Sequence, residues 1–281
     1  MSGVLYLSDL DGTLLGPDQR LSPYAVGTLN RLVEEGLLFS YATARSFYTA
    51  RVCTAGLTAH IPAATYNGSL IVDQRTGEIL QKIVFSGAER DGLFTLLREA
   101  GLKPIVYSLI DGRERFSFDA SALPRPEADF LAAKTGDIRI RPLQSEEGLL
   151  DGEVFYFTCI DAPEKIRAAV RKLPAFRQAA SFVQQTDIYS GEEWLELMPA
   201  GATKRAAVRQ LLALPGAEKA VVFGDMKNDI PMFLEAAEGY AVANAAPELN
   251  SVASGIIGSN REDGGVRWLE RYGRRGTDPF K

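Results

Sequence analysis

The sequence predicts an α/β protein in which a parallel-sheet core, split in sequence, carries an inserted α+β unit. Three observations support this. At both ends of the chain, apolar runs of strand length alternate with segments of helical spacing, and each run stops at acidic, hydroxyl or glycine residues. Between residues 84 and 192 the alternation gives way to several short strands and fewer helices. The β-α-β-α order specifies parallel strands joined by right-handed crossovers, and such sheets take their ligands beyond the carboxyl ends of the strands.

The first run, Val4 to Leu7, is continuously apolar, as a strand buried on both faces should be, and it delivers Asp9-Leu10-Asp11-Gly12-Thr13. Ser22-Pro23 supplies an N-cap and a first-turn proline for a helix carrying Val26, Leu29, Leu32 and Val33 and ending at Gly36. Leu37 to Tyr41 is a second strand leading to Ala42-Thr43-Ala44-Arg45, with Ser46 placed to cap the next helix. Leu70 to Val72 and Glu78 to Val84 read as a hairpin joined through a glycine-containing loop. In the inserted unit, helices are expected over 86–101, 126–134 and 162–173, and strands over 105–110, 115–118, 138–140, 154–160, 182–185 and 194–197. From Lys204 the first texture resumes, with helices over 206–214, 229–237, 247–253 and 265–271 alternating with strands over 220–223, 240–243 and 255–258. The core is thus expected over 1–83 and 193–281, the insert over 84–192, and Gly273 to Lys281 as a frayed tail.

Asp plus Glu number 36 against 31 Lys plus Arg, with both signs interspersed, so a nucleic-acid-binding face is not expected. No apolar run nears the roughly 18 residues of a membrane span, and no basic-then-apolar leader opens the chain. A soluble, cytoplasmic protein, a monomer or weak homo-oligomer, is the expectation. Cys53 and Cys159 are too few for a disulfide framework or a cysteine zinc site and read as small core residues. The one histidine, His60, reads as structural and rules out mechanisms that need two.

Side chains at i and i+2 of an extended segment point the same way, so Asp9 and Asp11 should share one small volume. Their repulsion calls for a cation or a raised pKa. Val221-Val222-Phe223-Gly224-Asp225-Met226-Lys227-Asn228-Asp229 repeats the pattern of a strand ending in acids, which makes Asp225 the natural partner of Asp9. Three carboxylates and a backbone carbonyl suit Mg²⁺, although Asp229 alone also reads as an ordinary acid at a helix start. Lys204 opposes the macrodipole of its own helix unless a phosphate binds in front of it, and the Thr43 hydroxyl could reach the same anion. Asn67-Gly68 reads as a turn, with a phosphate contact open. Each piece has a plain alternative: an Asx turn for Asp9 to Thr13, a solvated lysine for Lys204. Together, in order and at strand ends, they read as a phosphate-handling metal site. The Phe155-Tyr156-Phe157 cluster reads chiefly as core of the insert, with one ring facing substrate as the lesser alternative, and Arg113, Arg115, Arg139 and Arg141 as solvated charges, with recognition of an anionic substrate as theirs. No Gly-x-Gly-x-x-Gly follows the first strand, which sets aside a dinucleotide-dependent oxidoreductase.

As an ordered set these motifs resemble the haloacid dehalogenase-like phosphatase superfamily, and the layout is similar to its Cof-type subfamily. The matching pieces are Asp9 to Thr13, Ala42 to Arg45, Asn67-Gly68, Lys204, Gly224 to Asp229, Val242-Ala243-Asn244-Ala245 and Glu262 to Val266. Ala44 stands where that family usually has Gly, and Val242-Ala243 where it usually has Met-Gly. The resemblance implies a Rossmann-like core with an inserted cap of type IIB that sets substrate specificity. It implies a Mg²⁺-dependent phosphatase of a small phosphorylated metabolite, a sugar phosphate, nucleotide or phosphorylated cofactor. Asp9 would be the nucleophile and Asp11 the proton shuttle. Asp9, the Asp11 carbonyl and Asp225 would hold Mg²⁺, supported by Asn228 and Asp229, while Thr43, Lys204, Gly12 and Asn228 would line the phosphate, with Arg45 and Asn67 in support. A phosphomutase of the same superfamily, or a catalytically silent phosphate-binding module, stands as the alternative.

Overall fold

The computed structural model describes residues 3–186 and 191–273. Two compact units divide the chain: Met1–Lys82 with Ala202–Lys281, and Ile83–Gly201. The tail expected to fray lies, beyond Gly273, outside the described residues.

The first unit opens with β1 (Val4–Ser8), α1 (Pro23–Glu34), β2 (Leu38–Tyr41), α2 (Phe47–Cys53), β3 (Ala63–Thr65), β4 (Leu70–Val72) and β5 (Ile79–Lys82). The helix starts follow the expected capping chemistry. Ser22 Oγ accepts from the Ala25 N–H at 2.9 Å and Ser46 Oγ from the Thr49 N–H at 3.2 Å, each cap contributing about 1 kcal/mol. Strands β3, β4 and β5 form a small antiparallel sheet.

The second unit contains α3 (Gly87–Glu99), β6 (Ile105–Ile110), β7 (Arg113–Asp119), α4 (Arg125–Ala132), β8 (Ile140–Leu143), β9 (Glu153–Asp161), α5 (Pro163–Val170), β10 (Ala180–Thr186) and β11 (Glu193–Pro199). Its sheet runs β10-β11-β9-β6-β7-β8, antiparallel except for β7 with β8. Leu93, Leu96 and Leu97 of α3 and Ile166 and Ala169 of α5 pack against Val106, Phe157, Leu195 and Leu197 on one face. Three expectations are corrected here. The unit reaches Gly201 rather than 192, because β11 pairs along its length with β10 and β9. The strand expected over 138–140 begins at Ile140, since β8 is an edge strand and Ile138 points out, 71% exposed. Arg139 is not solvated but 2% exposed, paired with Glu114 and, at 2.6 Å, with Asp137, over the ring of Phe116. Its two carboxylate partners neutralise it.

The chain then completes the first unit with α6 (Lys204–Leu212), β12 (Lys219–Gly224), α7 (Ile230–Phe233), β13 (Glu238–Val242), α8 (Pro247–Asn250), β14 (Gly255–Ile257) and α9 (Gly264–Tyr272). Its main sheet is parallel throughout, in the order β14-β13-β12-β1-β2. All five residues of β1 are buried because the strand is central and covered on both faces. Val4 and Tyr6 pack with α1 and α9, while Leu5 and Leu7 pack with α6; each such Leu or Val contributes about 1.5–3 kcal/mol. The helix expected over 229–237 is only the single turn α7. The chain has to turn there to enter β13, and Phe233 packs so closely on Gly239 that a Cβ would lie 2.5 Å from its ring. No helix among the described residues is long and apolar enough to cross a membrane.

Candidate active site

The carboxyl ends of β1 and β12, the two central neighbours, bring the first group of candidate residues together. The Asp9 N–H donates to the Phe223 carbonyl at 2.9 Å, so pairing with β12 continues one residue past β1. Then the chain turns: Gly12 has φ +75°, and a Cβ there would sit 2.2 Å from Asp225 Oδ2. Only glycine lets this loop approach the second strand end so closely. Thr13 Oγ donates to Asp225 Oδ1 at 2.9 Å, and Asn244 Nδ2 donates to the Gly12 carbonyl at 2.8 Å.

Lys204 opens α6, whose N-cap Thr203 accepts from the Ala206 N–H at 3.1 Å. Its side chain is 1% exposed, and Nζ donates to Asp9 Oδ1 and to Asp229 Oδ1, each at 2.6 Å. Asp229 is no exposed helix-start acid. It is fully buried, and its Oδ2 accepts from the N–H groups of Asp225 and Met226 at 2.9 and 3.0 Å, which locks the β12 turn. Asp9, Asp225 and Asp229 each offer an oxygen within 4.8 Å of the others. Burial pushes the Asp9 carboxyl up to about 8; Lys204 opposes this, and Asp229 and Asp225 add to it. Asp225 is pushed up to about 6, again by burial first, with the Thr13 hydroxyl opposing and Asp229 adding. Burial disfavours the Lys204 charge, but the two adjacent carboxylates outweigh it and hold the ammonium firmly protonated.

Asp11 is placed differently from the expectation. The strand ends before it, so the i, i+2 relation to Asp9 does not hold. Its side chain, 48% exposed, is gripped by Arg45, with Nε to Oδ2 at 2.7 Å and Nη2 to Oδ1 at 2.6 Å. Arg45 also donates to Gln19 Oε1 at 2.8 Å and Cys53 Sγ at 3.0 Å, so both ends of the segment that begins at Arg45 and includes α2 are tied to it.

The Thr43 to Arg45 loop and the Asn67-Gly68 turn form a second group. Thr43 is fully buried; its Oγ accepts from the Arg45 N–H at 3.1 Å, which leaves the hydroxyl proton as a donor. The Asn67 N–H donates to the Thr43 carbonyl at 2.9 Å. Tyr66, Asn67 and Gly68 all have positive φ, and a Cβ on Gly68 would lie 2.7 Å from the Thr203 carbonyl. This turn therefore packs directly on the start of the Lys204 helix. Asn228 is half-buried in the turn Lys227–Asp229. Two further residues hold the site without having been singled out: Thr13 on Asp225, and Asn244, which bridges the Gly12 carbonyl and the Asn260 N–H. Both lie inside motifs read from the sequence, but their partners are more than a dozen residues away.

The donor set has the character of a hard-cation site. Three carboxylates against one ammonium leave two negative charges in a buried volume when all are ionised, and oxygen-only donors favour Mg²⁺ over softer metals.

A strand-end nucleophile candidate, a buried lysine and an acid cluster on a parallel sheet define a class of hydrolytic enzyme. The chain belongs to the haloacid dehalogenase-like hydrolase family, whose model matches residues 6–269. It is 26% identical to the 5-amino-6-(5-phospho-D-ribitylamino)uracil phosphatase YwtE of Bacillus subtilis, over 94% of this chain and 96% of that one. It is 23% identical to the HMP-PP phosphatase of Serratia proteamaculans, over 94% and 93%. Among solved structures, a Thermotoga maritima protein superposes with a TM-score of 0.78 at 21% identity over the whole of both chains. A Bacteroides thetaiotaomicron HAD-superfamily phosphatase gives 0.76 at 20% identity, over 97% and 96%. The Rossmann-like core and the family resemblance are both borne out, and the chain is a hydrolase of the phosphoric monoester class.

Proposed function

We propose that this chain is a Mg²⁺-dependent phosphatase that hydrolyses a small phosphorylated metabolite through an aspartyl-phosphate on Asp9. The relatives named above act on a phosphorylated ribitylaminouracil and on HMP-PP, and a soluble cytoplasmic metabolite of that kind suits this site. The observation that carries the reading is Lys204, a buried cation held by Asp9 and Asp229 inside an acid cluster. It lets an anionic phosphoryl group approach Asp9, which three bare carboxylates would repel. Residues 84–192, extended to Gly201 by β11, would serve as the cap that selects the substrate.

In the first half of the reaction an Asp9 oxygen attacks phosphorus, the bond to the ester oxygen breaks, and Asp11 gives that oxygen its proton. In the second half Asp11 takes a proton from water, the water oxygen attacks phosphorus, and the Asp9 oxygen leaves as carboxylate. Lys204, the Thr43 hydroxyl and the Gly12 turn hold the phosphoryl oxygens, with Asn228, Arg45 and Asn67 in support. Mg²⁺, held by Asp9, the Asp11 carbonyl and Asp225 with Asp229 behind them, would supply positive charge to the same oxygens. Both Asp11 oxygens accept from Arg45, so the proton transfer would require at least one of those hydrogen bonds to open. The test is phosphate release from p-nitrophenyl phosphate with and without Mg²⁺. Asp9→Asn should lower turnover by about 10³-fold or more; an Asp9→Asn protein as active as the parent would sink the mechanism.

A further inference from the structure

The carboxyl end of β13, the neighbour of β12 in the sheet, brings a third loop to the acid cluster. Its turn, over residues 243–246, is bonded to both acid-bearing loops. The Ala246 N–H donates to the Asp225 carbonyl at 2.7 Å, and Asn244 Nδ2 donates to the Gly12 carbonyl at 2.8 Å. Asn244 is itself oriented, because its Oδ1 accepts from the Asn260 N–H at 3.0 Å and so keeps the amide nitrogen toward Gly12.

What Asn244 holds is a turn. Asp11 (φ −72°, ψ 123°) and Gly12 (φ 75°, ψ −8°) have the central dihedrals of a type II turn. The peptide between them carries the Asp11 carbonyl, so the direction of that oxygen is set by the turn. Two side chains pin its far end: Asn244 on the Gly12 carbonyl, and Thr13, whose Oγ donates to Asp225 Oδ1 at 2.9 Å. Asn244 is exposed, and one water-accessible amide-to-carbonyl bond adds little to global stability. Its effect on a ligand is different. A turn with a loosened end spends less time in the arrangement that a cation requires, and the apparent affinity falls by that fraction.

We propose that Asn244 is a positioning residue for the cation: by holding the Gly12 carbonyl it keeps the Asp11 carbonyl and the Asp225 carboxylate in one arrangement for Mg²⁺. The inference rests on the Mg²⁺ reading given above, and Asn244 acts through the Gly12 turn rather than on the phosphoryl group.

Calorimetric titration of Mg²⁺ into the full chain, without substrate, provides the test, with urea midpoints measured alongside. Asn244→Ala should weaken Mg²⁺ binding by about 10-fold, the most that one hydrogen bond can account for, while its urea midpoint stays within about 0.5 M of the parent. Asn260→Ala serves as the comparison. Asn260 Nδ2 donates to the Leu15 carbonyl at 2.9 Å, a bond of the same kind three residues beyond Gly12, and its backbone N–H for Asn244 remains. This variant should show a similar midpoint and an Mg²⁺ affinity within about 2-fold of the parent. Unchanged Mg²⁺ affinity in Asn244→Ala, with or without a lower midpoint, would overturn the positioning role and leave the metal reading standing. Equal weakening in Asn260→Ala would overturn it as well, because the loop as a whole and not the Gly12 carbonyl would then matter. A parent chain that binds no Mg²⁺ would overturn the metal reading and this inference together.

Discussion

Replacing Lys204 by Met probes the buried charge arrangement most directly. Methionine keeps the length and the apolar stem but removes the ammonium that meets Asp9 and Asp229 at 2.6 Å. Two charge-assisted hydrogen bonds at about 1.5–3 kcal/mol each, or equally the removal of one partner from a buried ion pair, give a loss of about 3–5 kcal/mol. Protonation limits the loss, since the Asp9 carboxyl already sits near 8 and can take up a proton in place of the lysine. Urea unfolding reads the result. With m near 1–3 kcal/mol/M, the midpoint should fall by about 1 M or more. Added Mg²⁺ should restore more stability to Lys204→Met than to the parent, because in the variant the cation supplies the positive charge that the ammonium no longer does and releases the proton taken up by Asp9. Phosphate release should fall by about 10²–10³-fold. A Lys204→Met protein with the parental midpoint, or one to which Mg²⁺ returns no more stability than to the parent, would refute the charge balance described here.

Three further outcomes follow from particular contacts. Gly12→Ala places a Cβ against Asp225 in a left-handed backbone and should cost about 1–3 kcal/mol while weakening Mg²⁺ binding in calorimetry; unchanged Mg²⁺ affinity would contradict the close approach. Arg45→Lys keeps the charge but loses the two-pronged grip on Asp11, so kcat should change by about 10-fold, more than KM, and the pH–rate profile should move; an unmoved profile argues that Arg45 does not govern the proton shuttle. Burial holds the Glu127 carboxyl up at about 8, against the Ile160 N–H and Lys165 and with Asp161 adding. A raised carboxyl pKa means that its stabilising contribution is complete below about 4.5 and disappears as pH climbs through 8, a change of up to about 5 kcal/mol. Glu127→Gln should flatten that slope in urea midpoints taken across the window, and equal slopes in the two proteins would count against the assignment.

The parts of the fold that depend on local chemistry were readable in the sequence. Ser22 and Ser46 cap helices where the sequence placed them, and β1, β2 and β12 lie where the apolar runs lay. What depends on distant partners was not. Arg139 looks like any surface arginine until Glu114 faces it from β7. The end of β11 belongs with the insert because its pairing partners do, which composition does not record. At the site, the grouping of Asp9 and Asp225 was legible from strand-end position, and that of Lys204 from its place in the first turn of a helix. The separation of Asp11 was not, because it turns on Gly12 adopting a positive φ and on Arg45 reaching back across 34 residues.

The central position of β1 has a consequence for synthesis on the ribosome. Its two sheet neighbours are β2 and β12, and β12 begins at residue 219. Until that strand emerges, the first 82 residues hold a central strand with one open edge, and an open apolar edge is a template for aggregation. The second unit, by contrast, is contiguous and makes its sheet from its own residues, so it can fold while the first half waits. Asp9 meets Lys204 only across 195 residues, so the charge balance of the candidate site is among the last things the nascent chain acquires. A chain cut short before residue 204 would carry Asp9, the proposed nucleophile, without the lysine that neutralises its site.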